Sequence, residues 1–291
     1  MLPIITEHLA EKKNEALPMA DLCTLFGLAR ATLYRQQAET AASAGDMKVR
    51  DAMQRIALEW PAYGYRRITA ELSRRGCAVN HKRVLRLMRK DNLLCLRYGR
   101  GFVVTTDSRH GLPTYPNLAR SLELTDINQL WIADITYIRL AKEFVYLAVI
   151  LDAFSRRVIG WSVSRSIDTE LTLAALRMAL SARQPSAGLV HHSDRGVQYA
   201  AAGYVETLRE HEVTISMSRK GNPYDNAQAE RFMRTLKYEE VYLSDYDTLA
   251  EARASIKHFL EEVYNSKRLH SALGYKPPIE FEQSLNQPPS P

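Results

Sequence analysis

Three acidic side chains carry the chemistry this sequence could do, and each has an ordinary explanation beside the catalytic one. Asp194 follows a short apolar run in "LVHHSDRGVQYA", residues 189–200. Asp before Arg-Gly is common turn chemistry, yet the position just past a strand end is also where α/β sheets collect ligands. Asp134 sits in the middle of "WIADITYI", a segment of strand composition. A carboxylate buried there without a partner is costly, so either it faces solvent or something positive lies against it. Glu230 belongs to "GNPYDNAQAERFMRTLKYEE". On a helical wheel Asn226, Glu230, Arg234 and Lys237 share an arc of about 80°, while Ala229, Phe232, Met233 and Leu236 form a separate apolar arc. Glu230 and Arg234 make either a surface i, i+4 pair or a carboxylate offered to a ligand beside two cations.

The elements around these acids read as an α/β layer. "QLWIADITYIRL", "EFVYLAVILDAF" and "RRVIGWSVS" are rich in Val, Ile, Tyr, Phe and Trp and joined by short polar turns, which predicts an antiparallel three-stranded meander. A helix follows over 168–182, then a strand over 189–192, a helix over 200–211 and a strand over 213–218. Helices over 225–240 and 249–264 complete a mixed sheet covered by helices. If the fourth strand adds in parallel beside the first, at the open edge of the meander, Asp134 and Asp194 come together.

The front of the chain has another character. Residues 1–100 hold 18 Lys and Arg against 10 Asp and Glu, a net +8, whereas the rest holds 21 against 23. This asymmetry predicts a polyanion-binding front end on a body that does something else. Two segments read as helix-turn-helix. In "MADLCTLFGLARATLYRQQ", Leu22, Leu25 and Phe26 form a stripe, Gly27 breaks it, and a second helix over 31–37 offers Arg30 and Arg35. In "GYRRITAELSRRGCAVNHKRVLRLMRKDNLL", Ile68 and Leu72 mark one helix and Gly76 ends it. Asn80 caps a second helix bearing Val84, Leu85, Leu87 and Met88. Arg66, Arg67, His81, Lys82, Arg83 and Arg86 are its candidate DNA contacts, the second helix being the one to lie in a major groove. Between 105 and 126 the pattern dissolves into Gly- and Pro-containing sequence, read as a linker or arm.

The composition excludes several classes. Nothing approaches 18 uninterrupted apolar residues, and the opening "MLPIITEHLAEKK" lacks a basic segment followed by an apolar one, so neither secretion nor membrane spanning is expected. Cys23, Cys77 and Cys95 are odd in number and never paired as C-x-x-C, which indicates neither a disulfide framework nor a zinc knuckle. The bacterial cytoplasm, on the nucleoid when DNA-bound, fits. His191 and His192 are poor metal ligands because adjacent strand residues face opposite ways. A Ser193–His192 hydrolase triad lacks the G-x-S-x-G elbow.

Beyond these readings, the sequence resembles the OrfB-type transposases of bacterial insertion sequences, the insertion sequence three family with a retroviral-integrase-like core. The motifs that carry the resemblance are "LWIADITYI", "YLAVILDAFSRRVIGWSVS", "HHSDRGVQY", "GNPYDNAQAERFMRTLKYE", "YNSKRLHSALGYKPPIEF" and the upstream "YGYRRITAELSRRGCAVNHKRVLRLM". Together they span most of residues 20–282. The resemblance implies an acidic triad of Asp134, Asp194 and Glu230, with the family's 35 residues kept between the last two. Lys237, seven positions after Glu230 and two turns on along the same face, matches a basic residue near the DNA end. Asn222, Tyr224 and Asn226 match the loop before the catalytic helix and are expected, with Arg234, to touch DNA or shape the site. Gln198, Tyr199, Arg268 and His270 match motif positions without a defined role.

The implied fold is a ribonuclease-H-like mixed five-stranded sheet with flanking helices, preceded by a small all-α helix-turn-helix region. The expected boundaries are 1–45 and 46–100 for two helix-turn-helix domains, 101–123 for a linker, 124–284 for the catalytic core and 285–291 for a disordered tail. The implied reaction is cleavage at element ends followed by strand transfer, with two Mg²⁺ or Mn²⁺ ions per site. Two divalent ions about 3.5–4 Å apart can stabilise the attacking and leaving oxygens together, and carboxylates suit them. Expected partners are double-stranded DNA, at the terminal inverted repeats and the target, and further copies of the chain on that DNA. An upstream-frame protein or fusion carrying a leucine zipper is also expected, since no sustained heptad repeat appears here. Two other readings stay open: a regulatory DNA-binding protein that depends on such a partner, and a simple nuclease.

Overall fold

The computed structural model describes residues 23–24, 27, 29–93, 112–219 and 223–285, except for the side chains of residues 30, 32–45 and 223–224. It divides into two units, Met1–Cys95 and Leu96–Pro291. Among the described residues no helix is long and apolar enough to cross a membrane. The stripe Leu22, Leu25 and Phe26, as well as Cys95, Asn222 and the tail from residue 286 on, lie outside the described residues.

The first unit contains α1 (Arg30–Glu59), α2 (Tyr65–Arg74) and α3 (His81–Lys90). The helix expected over 31–37 does not stop there. It continues as α1 through the expected boundary at 45, because "AETAASAGDM" contains strong helix formers, no proline and a single glycine, tolerated at a cost of about 1 kcal/mol. Val49, Met53 and Ile56 of α1 are buried, as are Ile68 and Leu72 of α2 and Val84, Leu87 and Met88 of α3. Both ends of the helix pair follow from sequence. Gly76 N–H bonds Ser73 O and Cys77 N–H bonds Leu72 O, closing α2 with the paired bonds of a Schellman motif. Asn80 caps α3 by accepting from Lys82 N–H at 2.8 Å.

The second unit is built on β1 (Leu130–Arg139), β2 (Phe144–Asp152), β3 (Val158–Ser164), β4 (Val190–Ser193) and β5 (Thr214–Met217). Their spatial order is β3-β2-β1-β4-β5. β1, β2 and β3 form the antiparallel meander, and β4 and β5 add in parallel at its open edge. This is the ribonuclease-H-like arrangement expected from the sequence. Strand alternation divides β1 between two cores. Trp131, Ala133 and Ile135 join the cluster formed with α4 (Thr169–Arg183), α5 (Val197–Ala200) and α6 (Ala202–Glu210). On the opposite side, Ile138 packs with Phe232, Met233 and Leu236 of α7 (Ala227–Glu239). α8 (Leu249–His258), which runs on as a π-helical segment over Phe259–Tyr264, completes that layer. Gly160 of β3 allows α4 to approach closely, since a Cβ there would stand 2.2 Å from Ala175 O.

Two features differ from the sequence reading. The stretch read as a linker is attached to the core from Tyr115 on, Tyr115 packing on the first cluster and Pro116 O accepting from Met217 N–H at 3.4 Å. Leu118, Ala119, Leu122 and Leu124 pack against Leu130, Ile132, Val190 and Ala229, and Leu118 N–H donates to Ser216 Oγ at 2.9 Å. Its leucines, more than its prolines, decide where it goes. The second feature is α9 (Pro278–Leu285), not singled out as a helix from sequence. It brings Glu282 to Ser155 Oγ at 2.6 Å, Arg157 at 2.6 Å and Arg183.

Candidate active site

The parallel pairing of β1 with β4 sets the site. Its last register pair is Ile132 with His192, and Asp134 and Asp194 each stand two residues beyond it. Both side chains are half-buried. Asp134 accepts from Ile135 N–H at 2.9 Å, and Asp194 from Gly196 N–H at 2.9 Å. Gly196 is needed in that turn, since a Cβ would lie 3.0 Å from the Asp194 carboxylate and 3.0 Å from Gln198 Oε1.

α7 supplies the third acid from the opposite wall. Glu230 lies in its first turn and is exposed, and partial loss of water raises its carboxyl above the usual range. The Asp134 carboxyl is pushed up to about 8, first by burial, then by repulsion from Asp194 and more weakly from Glu230. The Ile135 N–H and the Lys237 charge act against the rise. Burial lowers the pKa of Lys237 while Asp134 raises it, and its Nζ stands 4.2 Å from the centre of the Tyr137 ring. Asp194, Glu230 and Lys237 are therefore each within electrostatic reach of Asp134. Among the described residues, no group of three His, Cys, Asp or Glu side chains is close enough as it stands to hold an ion. Glu230 is an exposed side chain on the first turn of α7.

Asn226 corrects the helical-wheel reading. It precedes α7, in the 3₁₀ turn Pro223–Asn226, and is buried instead of facing DNA. Its Nδ2 donates to Ala133 O at 3.5 Å, one residue before Asp134, so it ties the start of α7 to β1. Asp225 is clamped by Arg219 through contacts of 3.0–3.1 Å, and this bond holds its carboxyl well below the usual range. Arg234 is exposed, with its guanidinium 5.4 Å from the Tyr238 ring centre. The Tyr224 side chain lies outside the described ones.

The histidines act as structural groups. His191 bonds the Tyr204 hydroxyl at 2.9 Å, and burial depresses its pKa to about 3. His192 bonds Ser216 Oγ at 2.8 Å and Ser218 Oγ at 3.1 Å, and burial lowers its pKa too. Both are neutral at ordinary pH. Arg268 makes a two-pronged pair with Glu239 at 2.6 and 2.7 Å, and His270 lies edge-on to Tyr264. Sequence matching left Tyr199 without a role. It is 2% exposed, its hydroxyl has no hydrogen-bond partner, and burial together with Tyr204, Asp194 and Asp134 raises its pKa far up. Only its place in "SDRGVQY" pointed to it.

In the helical unit the candidate DNA contacts divide. His81 and Lys82 are exposed at the start of α3, and Arg66 is exposed and folded over Tyr65. Arg67 lies over Tyr63 at 5.5 Å. Arg83 and Arg86 instead converge on Asp46 of α1, at 2.7 and 3.0 Å, bracing α3 against α1. A buried carboxylate attracts two of the very cations that the sequence offered to phosphate.

The chain matches the Integrase core domain family over residues 125–223 and again, through a second such family, over 211–278. An HTH-like domain matches residues 45–101. The insertion element IS600 uncharacterized 31 kDa protein of Shigella sonnei is 36% identical over 271 residues, covering 91% of this chain and 99% of that protein. Transposase InsF for insertion sequence IS3A of Escherichia coli (strain K12) is 38% identical over 221 residues, 76% of this chain and 76% of that protein. The chain belongs to the insertion sequence three family of transposases. The transposase for insertion sequence element IS904 of Lactococcus lactis is 40% identical over 225 residues, 76% of this chain and 87% of its own length. Among solved structures, a chain of the simian T-cell lymphotropic virus intasome in complex with PP2A regulatory subunit B56 gamma aligns with a TM-score of 0.48 and 19% identity. That alignment covers 77% of this chain and 73% of that one.

Proposed function

We propose that this transposase cuts and joins DNA at insertion-sequence ends through Asp134, Asp194 and Glu230. What carries the reading is that these acids, two from adjacent parallel strands and one from the helix across them, act on one another's charge around Asp134. A fold gains nothing from leaving like charges together. A cationic ligand relieves them, and hard carboxylate oxygens fit Mg²⁺ or Mn²⁺. Two bound ions would stabilise the attacking and leaving oxygens of an in-line displacement at phosphorus.

The residues of the chain supply the rest. Asp134, Asp194 and Glu230 would hold the ions, Asp134 being the acid on whose charge the other two act. Asp134 must give up its proton to do so, which makes ion binding tighter as pH rises toward 8. Lys237 projects its ammonium beside Asp134 and would meet a phosphate there. Water attacks the phosphodiester at the element terminus and releases a 3′-hydroxyl, which then displaces a hydroxyl from phosphorus in a second strand. Each step breaks one P–O bond and makes one.

On this reading residues 46–100 read DNA, residues 124–284 do the chemistry, and at least two copies assemble on the element ends. A partner from the upstream frame adds the zipper that completes end binding. The test is strand transfer of a labelled, pre-cleaved end into plasmid with Mg²⁺ or Mn²⁺, comparing the chain with Glu230→Gln, with and without the upstream-frame product. Metal-dependent joining that Glu230→Gln abolishes is the expected result. DNA binding without joining under every condition would favour a regulatory role.

A further inference from the structure

Beside the acids lies a surface that the triad does not use. Tyr137 of β1 meets Phe144 of β2 edge-on, with ring centres 5.7 Å apart. Tyr238 of α7 meets Tyr242, just after that helix, edge-on at 5.6 Å. The two pairs are linked by Lys237, the neighbour of Tyr238 on α7, whose Nζ stands 4.2 Å from the centre of the Tyr137 ring. A backbone bond from Ala141 N–H to Tyr246 O ties the β1–β2 turn to this segment. Phe144 is 52% exposed and Tyr242 47%. Two cations lie on these rings, Lys237 at 4.2 Å from Tyr137 and Arg234 at 5.4 Å from Tyr238.

Exposed aromatic rings in contact are costly in water, and what covers them must also satisfy two cations. A protein partner is the poorer fit, since interface centres are depleted in lysine. Single-stranded nucleic acid fits both, with bases stacking on the rings and phosphates meeting the cations. A duplex presents no free base face along its length, so only unpaired bases can stack. We propose that this patch takes unpaired nucleotides next to the phosphodiester handled by Asp134, Asp194 and Glu230. The proposal rests on the function argued above and adds the form of DNA that the site prefers.

The test is equilibrium binding by the full chain, without divalent ions, to a blunt duplex and to the same duplex with a few unpaired terminal nucleotides, one of them 2-aminopurine. The wild type should prefer the unpaired end and quench the fluorescent base. Phe144→Ala with Tyr242→Ala should reduce that preference by about tenfold and leave blunt-duplex binding unchanged. Tyr242→Phe should keep the preference and Tyr242→Leu should lose it, which separates stacking from mere apolarity. Equal loss on both DNAs, or no preference in the wild type, overturns the proposal. So does unchanged DNA binding with lost self-association in sedimentation, which would make the patch an interface between copies. No catalysis enters this assay. If the preference is absent while Glu230→Gln still abolishes strand transfer, only this inference falls; if Glu230→Gln joins DNA normally, the functional reading falls.

Discussion

Glu282 and Asp134 are both carboxylates of the second unit whose acidity is shifted by burial and by their neighbours, and the two shifts run in opposite directions. Burial works to raise both. At Glu282 the bonds from Arg183, Ser155 and Arg157 overcome it and hold the group below its usual range. At Asp134 the neighbours are Asp194 and Glu230, and the group ends near pH 8. Two arginines reach Glu282, whereas among the described residues none is in hydrogen bond with Asp134. A carboxylate whose counterions are built in supports structure, while one surrounded by other carboxylates is kept for something that arrives from outside.

The contrast can be broken at either end. The largest effect is expected from Glu230→Gln, which should lower strand transfer by roughly 10³-fold or more while leaving the thermal midpoint nearly unchanged. Equal activity in the variant would remove the catalytic half of the comparison. Glu282→Gln should do the reverse, costing about 3 kcal/mol of stability by leaving two guanidinium groups short of a partner, as read from chemical denaturation. That contribution is present above the usual glutamate range and is lost as pH falls through the lowered native value.

A smaller effect of opposite sign is expected at Asp134. Its native pKa lies above the unfolded value of about 3.9, so without divalent ions this group makes the protein less stable as pH rises from about 4 toward 8. Asp134→Asn should therefore raise the midpoint at pH 8, by roughly 2–4 °C for each kcal/mol relieved, and change little at pH 4. Mg²⁺ or Mn²⁺ should stabilise the wild type more at pH 8 than at pH 5.5, and a pH-independent response would count against Asp134 as a ligand. The smallest effect is expected from Lys237→Met, which should flatten the dependence of log affinity on log salt by about one phosphate contact. A slope identical to wild type would place Lys237 away from the backbone of DNA.

Much of this was legible because strand composition and turn spacing in "QLWIADITYIRL" to "RRVIGWSVS" leave little choice but a meander, and one parallel strand added at its edge brings Asp194 to Asp134. Helical periodicity put Glu230 on the polar face of its helix, its place in the triad coming from the family resemblance, and predicted correctly that Phe232, Met233 and Leu236 are buried. Periodicity failed one residue before the helix began, at Asn226, because the 3₁₀ turn there rotates the side chain inward. It also could not foresee Asp46 binding Arg83 and Arg86, a contact across about 40 residues of chain. Arg157, Arg183 and Glu282 were invisible for the same reason. Sequence patterns report which face an apolar residue takes, whereas the choice of partner for a charge depends on tertiary distances that no local period encodes.

The short parallel ladder between β1 and β4 has one more consequence. Its three register pairs end at Ile132 and His192, and the two aspartates follow at equal distances, so their meeting is fixed by counting along backbone. Side chains along these strands can be exchanged for others of similar shape and the count survives. Inserting or deleting a single residue between His192 and Asp194 would instead turn the acid to the other side of the layer, in a protein that still folded. Across the lineage of such elements, this stretch should vary in letters and stay constant in length.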